Sequence, residues 1–171
     1  MILRLSLILL LLLCGCRSES PVWCYHLAAE RNASCFAVDD TSIITARHVI
    51  GDNKIIRTGG EFYGVKDIEY FGEDGARVII GKHQLRLLAT SNRRPKPGEI
   101  LYAYGWPALD DGMTVMKCRA LEAGFLAPLI HSGMSGGPVI DESGRVIGVI
   151  SSYTPDVGYS TYELYTRTKI R

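Results

Sequence analysis

The chain has 171 residues, 47% of them hydrophobic and 22% charged, with a formal net charge of +1. That length suffices for one domain of ordinary size with a packed core. A near-neutral balance with no basic run longer than Arg93-Arg94 argues against a nucleic-acid partner.

The amino terminus reads as a leader. Arg4 opens a short basic region, and Leu5 to Leu13 is apolar except for Ser6. The run is short for a bilayer span and ends in small residues and cysteines, as the apolar part of a secretory signal does. A signal peptide over residues 1–15 and export are therefore expected. Leu13-Cys14-Gly15-Cys16 resembles the bacterial lipobox, which implies cleavage after Gly15 and a lipid on Cys16 that ties the protein to a membrane. The other reading is an ordinary signal peptide with incidental cysteines. Cys24 and Cys35 flank a predicted hairpin. In an oxidising compartment they read either as a disulfide or as two small buried thiols. Cys118 reads as a core residue of a strand. No cysteine–histidine pair has the short spacing of a zinc site, and neither a metal nor a cofactor is expected.

Past Ser20 the sequence predicts short strands punctuated by turn residues. Val22–Leu27, Cys35–Val38 and Ile43–Thr45 come first, then Lys54–Arg57, Phe62–Tyr70 and Arg77–Ile80. Residues 91–98, basic and proline-rich, form the one clear linker. Beyond it the strands resume at Ile100–Tyr104, Val115–Leu121, Phe125-Leu126, Pro138–Ile140, Val146–Ser151 and Tyr159–Tyr165. This is an all-β pattern. Two sets of six across a linker predict two six-stranded antiparallel β-barrels, residues 22–90 and 99–171, with the active site in the cleft between them.

Two segments carry chemistry. In Gly133-Met134-Ser135-Gly136-Gly137-Pro138, glycines around one serine permit positive φ and bring bare backbone N–H groups to a ligand. The N–H groups of Gly133 and Ser135 are candidates for an oxyanion hole beside the Ser135 hydroxyl. Taken alone, the segment is equally a tight turn before a hairpin. In Ile44-Thr45-Ala46-Arg47-His48-Val49, a histidine directly follows an apolar strand. A serine hydroxyl needs a base to take its proton, and the base needs a carboxylate to orient it.

Together these segments resemble the two signatures of the chymotrypsin-like (trypsin-like) serine proteases, in the compact bacterial HtrA-like form without a PDZ domain, over about residues 33–150. The resemblance implies a serine endopeptidase acting on protein or peptide substrates, in the residue order His48, aspartate, Ser135. Asp74, in the Gly72-Glu73-Asp74-Gly75 turn before an apolar strand, is the candidate acid, although Gly75 and Arg77 replace apolar residues of the family pattern. Asp67 is the rival. The same resemblance places Leu129, Ser151, Ser152 and Tyr153 around the residue before the cut. No acidic residue stands at position 129, and the Tyr153 ring would shorten the pocket, so small or medium apolar residues are expected there. His131, His26 and His83 read as loop or hairpin residues. The competing reading is a catalytically silent binding module on the same fold, exported and lipid-anchored. Retention of the serine, the histidine and the loop glycines favours the enzyme.

Overall fold

The computed structural model describes residues 23–29, 31–109, 112–121, 124–154 and 159–165. The expected leader and Cys16 lie outside them. Two β-structures follow one another along the chain. The first comprises β1 (Tyr25–Ala28), β2 (Asn32–Ala37), β3 (Ser42–Ala46), the one-turn helix α1 (Arg47–Ile50), β4 (Ile55–Thr58), β5 (Glu61–Gly64), β6 (Asp67–Phe71) and β7 (Gly75–Ile79). The second comprises β8 (Ile100–Gly105), β9 (Thr114–Ala120), β10 (Phe125–Ala127), β11 (Pro138–Ile140), β12 (Val146–Thr154) and β13 (Tyr159–Leu164).

The second half closes into a barrel in the order β10-β13-β12-β11-β8-β9. The first does not. It is a seven-stranded sheet in the order β5-β4-β1-β2-β3-β7-β6, which corrects the expectation of two six-stranded barrels. The difference arises in the stretch expected to be one strand over Phe62–Tyr70. After Gly64 the chain leaves β4, and the two residues that follow bond to different neighbours. The Val65 N–H donates to Lys54 O at 2.8 Å and the Lys66 N–H to Ile79 O at 2.8 Å. The stretch is therefore two strands, one pairing with β4 and the other with β7.

β2 and β3 are buried almost throughout, because both of their faces are covered. Cys35, Ala37 and Ile43 point into the core of the first sheet, with Leu27, Ile56 and Val78. Phe36 and Ile44 point the other way, into a second core shared with Ile140, Val146 and Val149 of the barrel. This shared layer fixes the two halves against each other, and the site is built along it. At Arg93 of the connecting stretch, Nε lies 3.0 Å from the buried Asp141 carboxylate, and the guanidinium also pairs with Glu99.

Cys24, Cys35 and Cys118 are free and buried. Of the two readings of Cys24 and Cys35, the structure shows the pair of buried thiols, and the sheet register gives the reason. Tyr25 stands opposite Cys35, and His26 opposite Ser34. Successive side chains alternate between faces, so Cys24 shares the face of His26 and Ser34 while Cys35 points into the core. The Cys35 thiol meets Thr58 Oγ1 at 3.2 Å. Burial pushes its pKa up to about 12.

Candidate active site

His48 lies in α1, the single helical turn that ends β3. Asp74 closes the β6–β7 hairpin. The pairing Ala46↔Gly75 sets the end of β3 beside the start of β7, so residues 26 apart in sequence become neighbours. The contact is a double one. Asp74 Oδ1 accepts the His48 backbone N–H at 2.9 Å, and Oδ2 lies 2.7 Å from His48 Nδ1. The Arg47 N–H also donates to the Asp74 carbonyl. Held on both sides, the imidazole presents its other nitrogen, Nε2, away from the carboxylate.

Ser151 of β12 donates its hydroxyl to the same Asp74 Oδ2 at 2.6 Å. Burial would raise the Asp74 carboxyl, but hydrogen bonds from the His48 ring, the Ser151 hydroxyl and the His48 N–H outweigh it and hold the group below its ordinary value. Asp74 is thus ionised at neutral pH, as an imidazole-orienting carboxylate must be. The rival Asp67 stands opposite Ile79, at the far end of the β6–β7 pair from Gly75. Its carboxylate accepts the N–H of its own neighbour, Ile68, at 2.9 Å.

The glycines of the serine loop are required by space. At Gly133 (φ 92°) a Cβ would come within 2.4 Å of Ala108 N, and at Gly136 (φ 86°) within 2.2 Å of both Ser34 O and Thr45 Oγ1. Glycine alone tolerates both the backbone angle and the approach. Gly136 therefore lets the loop settle directly on the end of β3, beside His48. The loop is tied from both halves of the molecule. Ser34 N–H donates to Ser135 O at 2.8 Å, and Gly136 N–H donates to Ile150 O at 2.7 Å.

The orientation of the loop amides follows from two further bonds. The Ser132 carbonyl accepts the Ala108 N–H at 2.8 Å, and the Met134 carbonyl accepts the Gly137 N–H at 3.0 Å. In a trans peptide the N–H points opposite to the carbonyl. Gly133 and Ser135 therefore turn their N–H groups away from those partners, and neither donates to a carbonyl among the described residues.

Ser34 is a residue that sequence reasoning did not single out. Its fully buried hydroxyl donates to Gly133 O at 3.1 Å and accepts the Trp106 N–H at 2.8 Å. A small polar residue inside the otherwise apolar run of residues 33–37, twelve before Ala46, was the available signal. Of the residues expected around the substrate side chain, Ser151 uses its hydroxyl on Asp74. Leu129 is half-buried beside Ile130, whose N–H donates to Ser160 Oγ at 2.9 Å. The side chains of Ser152 and Tyr153 lie outside the described residues. His131 is exposed on the loop before Gly133.

Comparison with known proteins agrees with this geometry. The trypsin-like peptidase domain family matches residues 33–149, and the chain belongs to that family. It is a serine peptidase, a hydrolase of peptide bonds. Among solved structures it is similar to the active form of the Rv3671c protease from M. tuberculosis, with a TM-score of 0.67 and 20% identity over 84% of this chain and 74% of that one. A serine endoprotease from Yersinia pestis gives a TM-score of 0.68 and 22% identity over 82% of this chain, which spans 58% of that protein's length. The serine protease of a human pathogenic astrovirus gives 0.66 and 23% over 86% and 91%. At these identities the likeness is one of fold. No curated protein sequence matches the chain significantly.

Proposed function

We propose that Ser135 is the nucleophile, that His48 takes its proton as general base, and that Asp74 orients His48 and stabilises the imidazolium that forms. Attack of Ser135 Oγ on a peptide carbonyl gives a tetrahedral oxyanion, received by the N–H groups of Gly133 and Ser135. Collapse of that intermediate, with the His48 proton passing to the departing amine, leaves an acyl group on Ser135. Water activated by the same imidazole then releases it. The observation that carries this reading is the His48 Nδ1–Asp74 Oδ2 contact of 2.7 Å, beside a serine loop seated on β2 and β3.

Residues 16–171 are read as a protease unit of the compact HtrA-like kind. The leader over residues 1–15 exports it, and a lipid on Cys16 ties it to a membrane. The substrate residue before the cut sits against Leu129 and the β12 segment Ser151-Ser152-Tyr153. It is small or medium-sized and apolar. Two measurements test this. Purified protein lacking residues 1–15 should cleave an unfolded protein substrate after such residues, with Ser135→Ala and His48→Ala inactive. Cleavage confined to Arg, Lys or Glu overturns the specificity, and equal cleavage by Ser135→Ala overturns the mechanism. Expression of the full chain in bacteria should give a membrane-bound form that Cys16→Ser releases.

A further inference from the structure

The face of the first sheet that carries Ser34 continues away from the serine loop and ends in a cationic cleft. Side chains of directly opposed residues share a face. The pairings His26↔Ser34, Ala28↔Asn32, Ala28↔Arg57 and Arg57↔Phe62 therefore place His26, Ala28, Arg57 and Phe62 on the Ser34 side. Trp106 closes this face from the barrel. Its ring meets His26 edge-on at 6.0 Å, and its carbonyl stands 2.7 Å from where a Cβ on Gly133 would lie. Between them is a cleft of ≈ 370 Å³ lined by His26, Ala28, Arg57, Gly59, Gly60 and Trp106.

Arg57 is exposed, and its guanidinium lies over the Phe62 ring, 5.5 Å from the centroid. A cation–π contact of this kind uses the charge and not the N–H donors, which remain suited to a bidentate acceptor. Among the described residues no carboxylate pairs with it. The nearest acidic neighbour along the hairpin, Glu61, accepts the Tyr63 hydroxyl at 2.9 Å.

The position of this cleft relative to the reaction follows from the proposed function, on which the inference rests. With the acyl half of the substrate against Leu129 and β12, and the oxyanion at Gly133 and Ser135, the leaving half exits on the opposite side, over the surface that covers the buried Ser34 and toward Trp106. Arg57 is two strands from Ser34, about 10 Å across the sheet, and an extended chain advances about 3.3 Å per residue. The guanidinium thus meets about the third or fourth residue after the cleaved bond. We propose that the His26–Arg57–Trp106 cleft binds an acidic side chain of the substrate at that distance downstream of the cut, making Arg57 a specificity-determining residue.

The test uses internally quenched peptides built on a sequence that the wild-type protein cleaves, identical except for Glu, Gln or Lys at the third and fourth positions after the bond. Rates are expressed per Ser135 labelled by a fluorophosphonate, so misfolded protein does not count. The Glu peptide should exceed the Gln peptide by about threefold in kcat/KM at low salt, as an exposed ion pair does, mainly through KM. The gap should shrink at high salt. Arg57→Gln should flatten the series and Arg57→Glu should invert it, with the Lys peptide fastest. Equal rates for the three peptides, or an acidic preference that survives Arg57→Glu, overturn the inference while labelling at Ser135 leaves the peptidase intact. Absence of both labelling and cleavage removes the two together.

Discussion

The Ser34 hydroxyl lies 3.1 Å from the carbonyl of Gly133, while the Ser34 backbone N–H holds the carbonyl of Ser135 at 2.8 Å. One residue of the first sheet thus holds two carbonyls of the loop that carries Ser135 and the proposed oxyanion donors. Ser34→Ala removes the first bond and leaves the partly buried Trp106 N–H without its acceptor. The expected cost is about 1–3 kcal/mol in stability. The bond steadies the Gly133–Met134 peptide, which lies between the two donor amides and otherwise keeps, among the described residues, only the Met134 N–H bond to His131 O at 3.2 Å. On its loss kcat should fall about tenfold with little change in KM. Steady-state kinetics alongside chemical denaturation check this. A variant with lost stability and unaltered kcat would show that the bond serves folding alone.

Asp74→Asn keeps the shape of the site but supplies an amide where the imidazole needs an anion. By the logic of the triad, activity should drop by about four orders of magnitude. Ser151→Ala is milder, because Asp74 keeps both of its bonds from His48. Without that hydroxyl the Asp74 carboxyl should titrate higher, and the acid limb of the kcat/KM profile should move to higher pH. Comparing the two pH–rate profiles tests the assignment.

Gly136→Ala probes the seating of the loop. The added Cβ would stand 2.2 Å from Ser34 O and from Thr45 Oγ1, at a backbone φ of 86°. Backbone cannot give way as a flexible side chain can, so the variant should lose several kcal/mol or fail to label at Ser135. Gly60→Ala, with open space around its Cβ, should lose far less. Thermal denaturation of the two variants separates contact from conformation.

Stability should fall in acid through the β2–β3 turn. Asp39 is partly buried, which opposes its charge. Hydrogen bonds from the Ser42 hydroxyl, the Thr41 N–H and hydroxyl, and Arg77 nonetheless lower its pKa from 3.8 to about 2. A depressed folded-state pKa means that the stabilisation is present above the unfolded value and lost as pH falls through the folded one. Wild type should therefore lose stability between about pH 4 and pH 2. Asp39→Asn should be less stable than wild type at pH 6, and the difference should close near pH 2. Denaturant midpoints across that range measure it, and a difference that persists unchanged at pH 2 contradicts the assignment.

The parts of this site legible in the sequence were those whose chemistry constrains the local chain. Gly133 and Gly136 announce themselves because positive φ and close backbone approach admit no other residue, and they mark Ser135 between them. His48 is marked by the apolar strand that delivers it. Asp74 could be favoured over Asp67 from its turn, but only the Ala46↔Gly75 register sets it beside His48. Strand count was harder to read. Phe62 to Tyr70 has continuous strand composition, and its division depends on which neighbours Val65 and Lys66 find in space. The state of Cys24 and Cys35, a disulfide or two thiols, stayed open for a related reason, since a shift of one residue in register sends a side chain to the opposite face. Ser34 and Ser151 act through bonds 99 and 77 residues distant in sequence, and no local pattern carries that information.

His48 makes Ser135 nucleophilic in the mechanism proposed above. The measurement that tests it most directly is mass spectrometry of native protein treated with a fluorophosphonate. One adduct is expected, on the peptide containing Ser135, forming at least a thousandfold more slowly in His48→Ala and absent from Ser135→Ala or from unfolded protein. Folded protein that takes up no label, or labels at Ser135 equally fast without His48, would contradict the account.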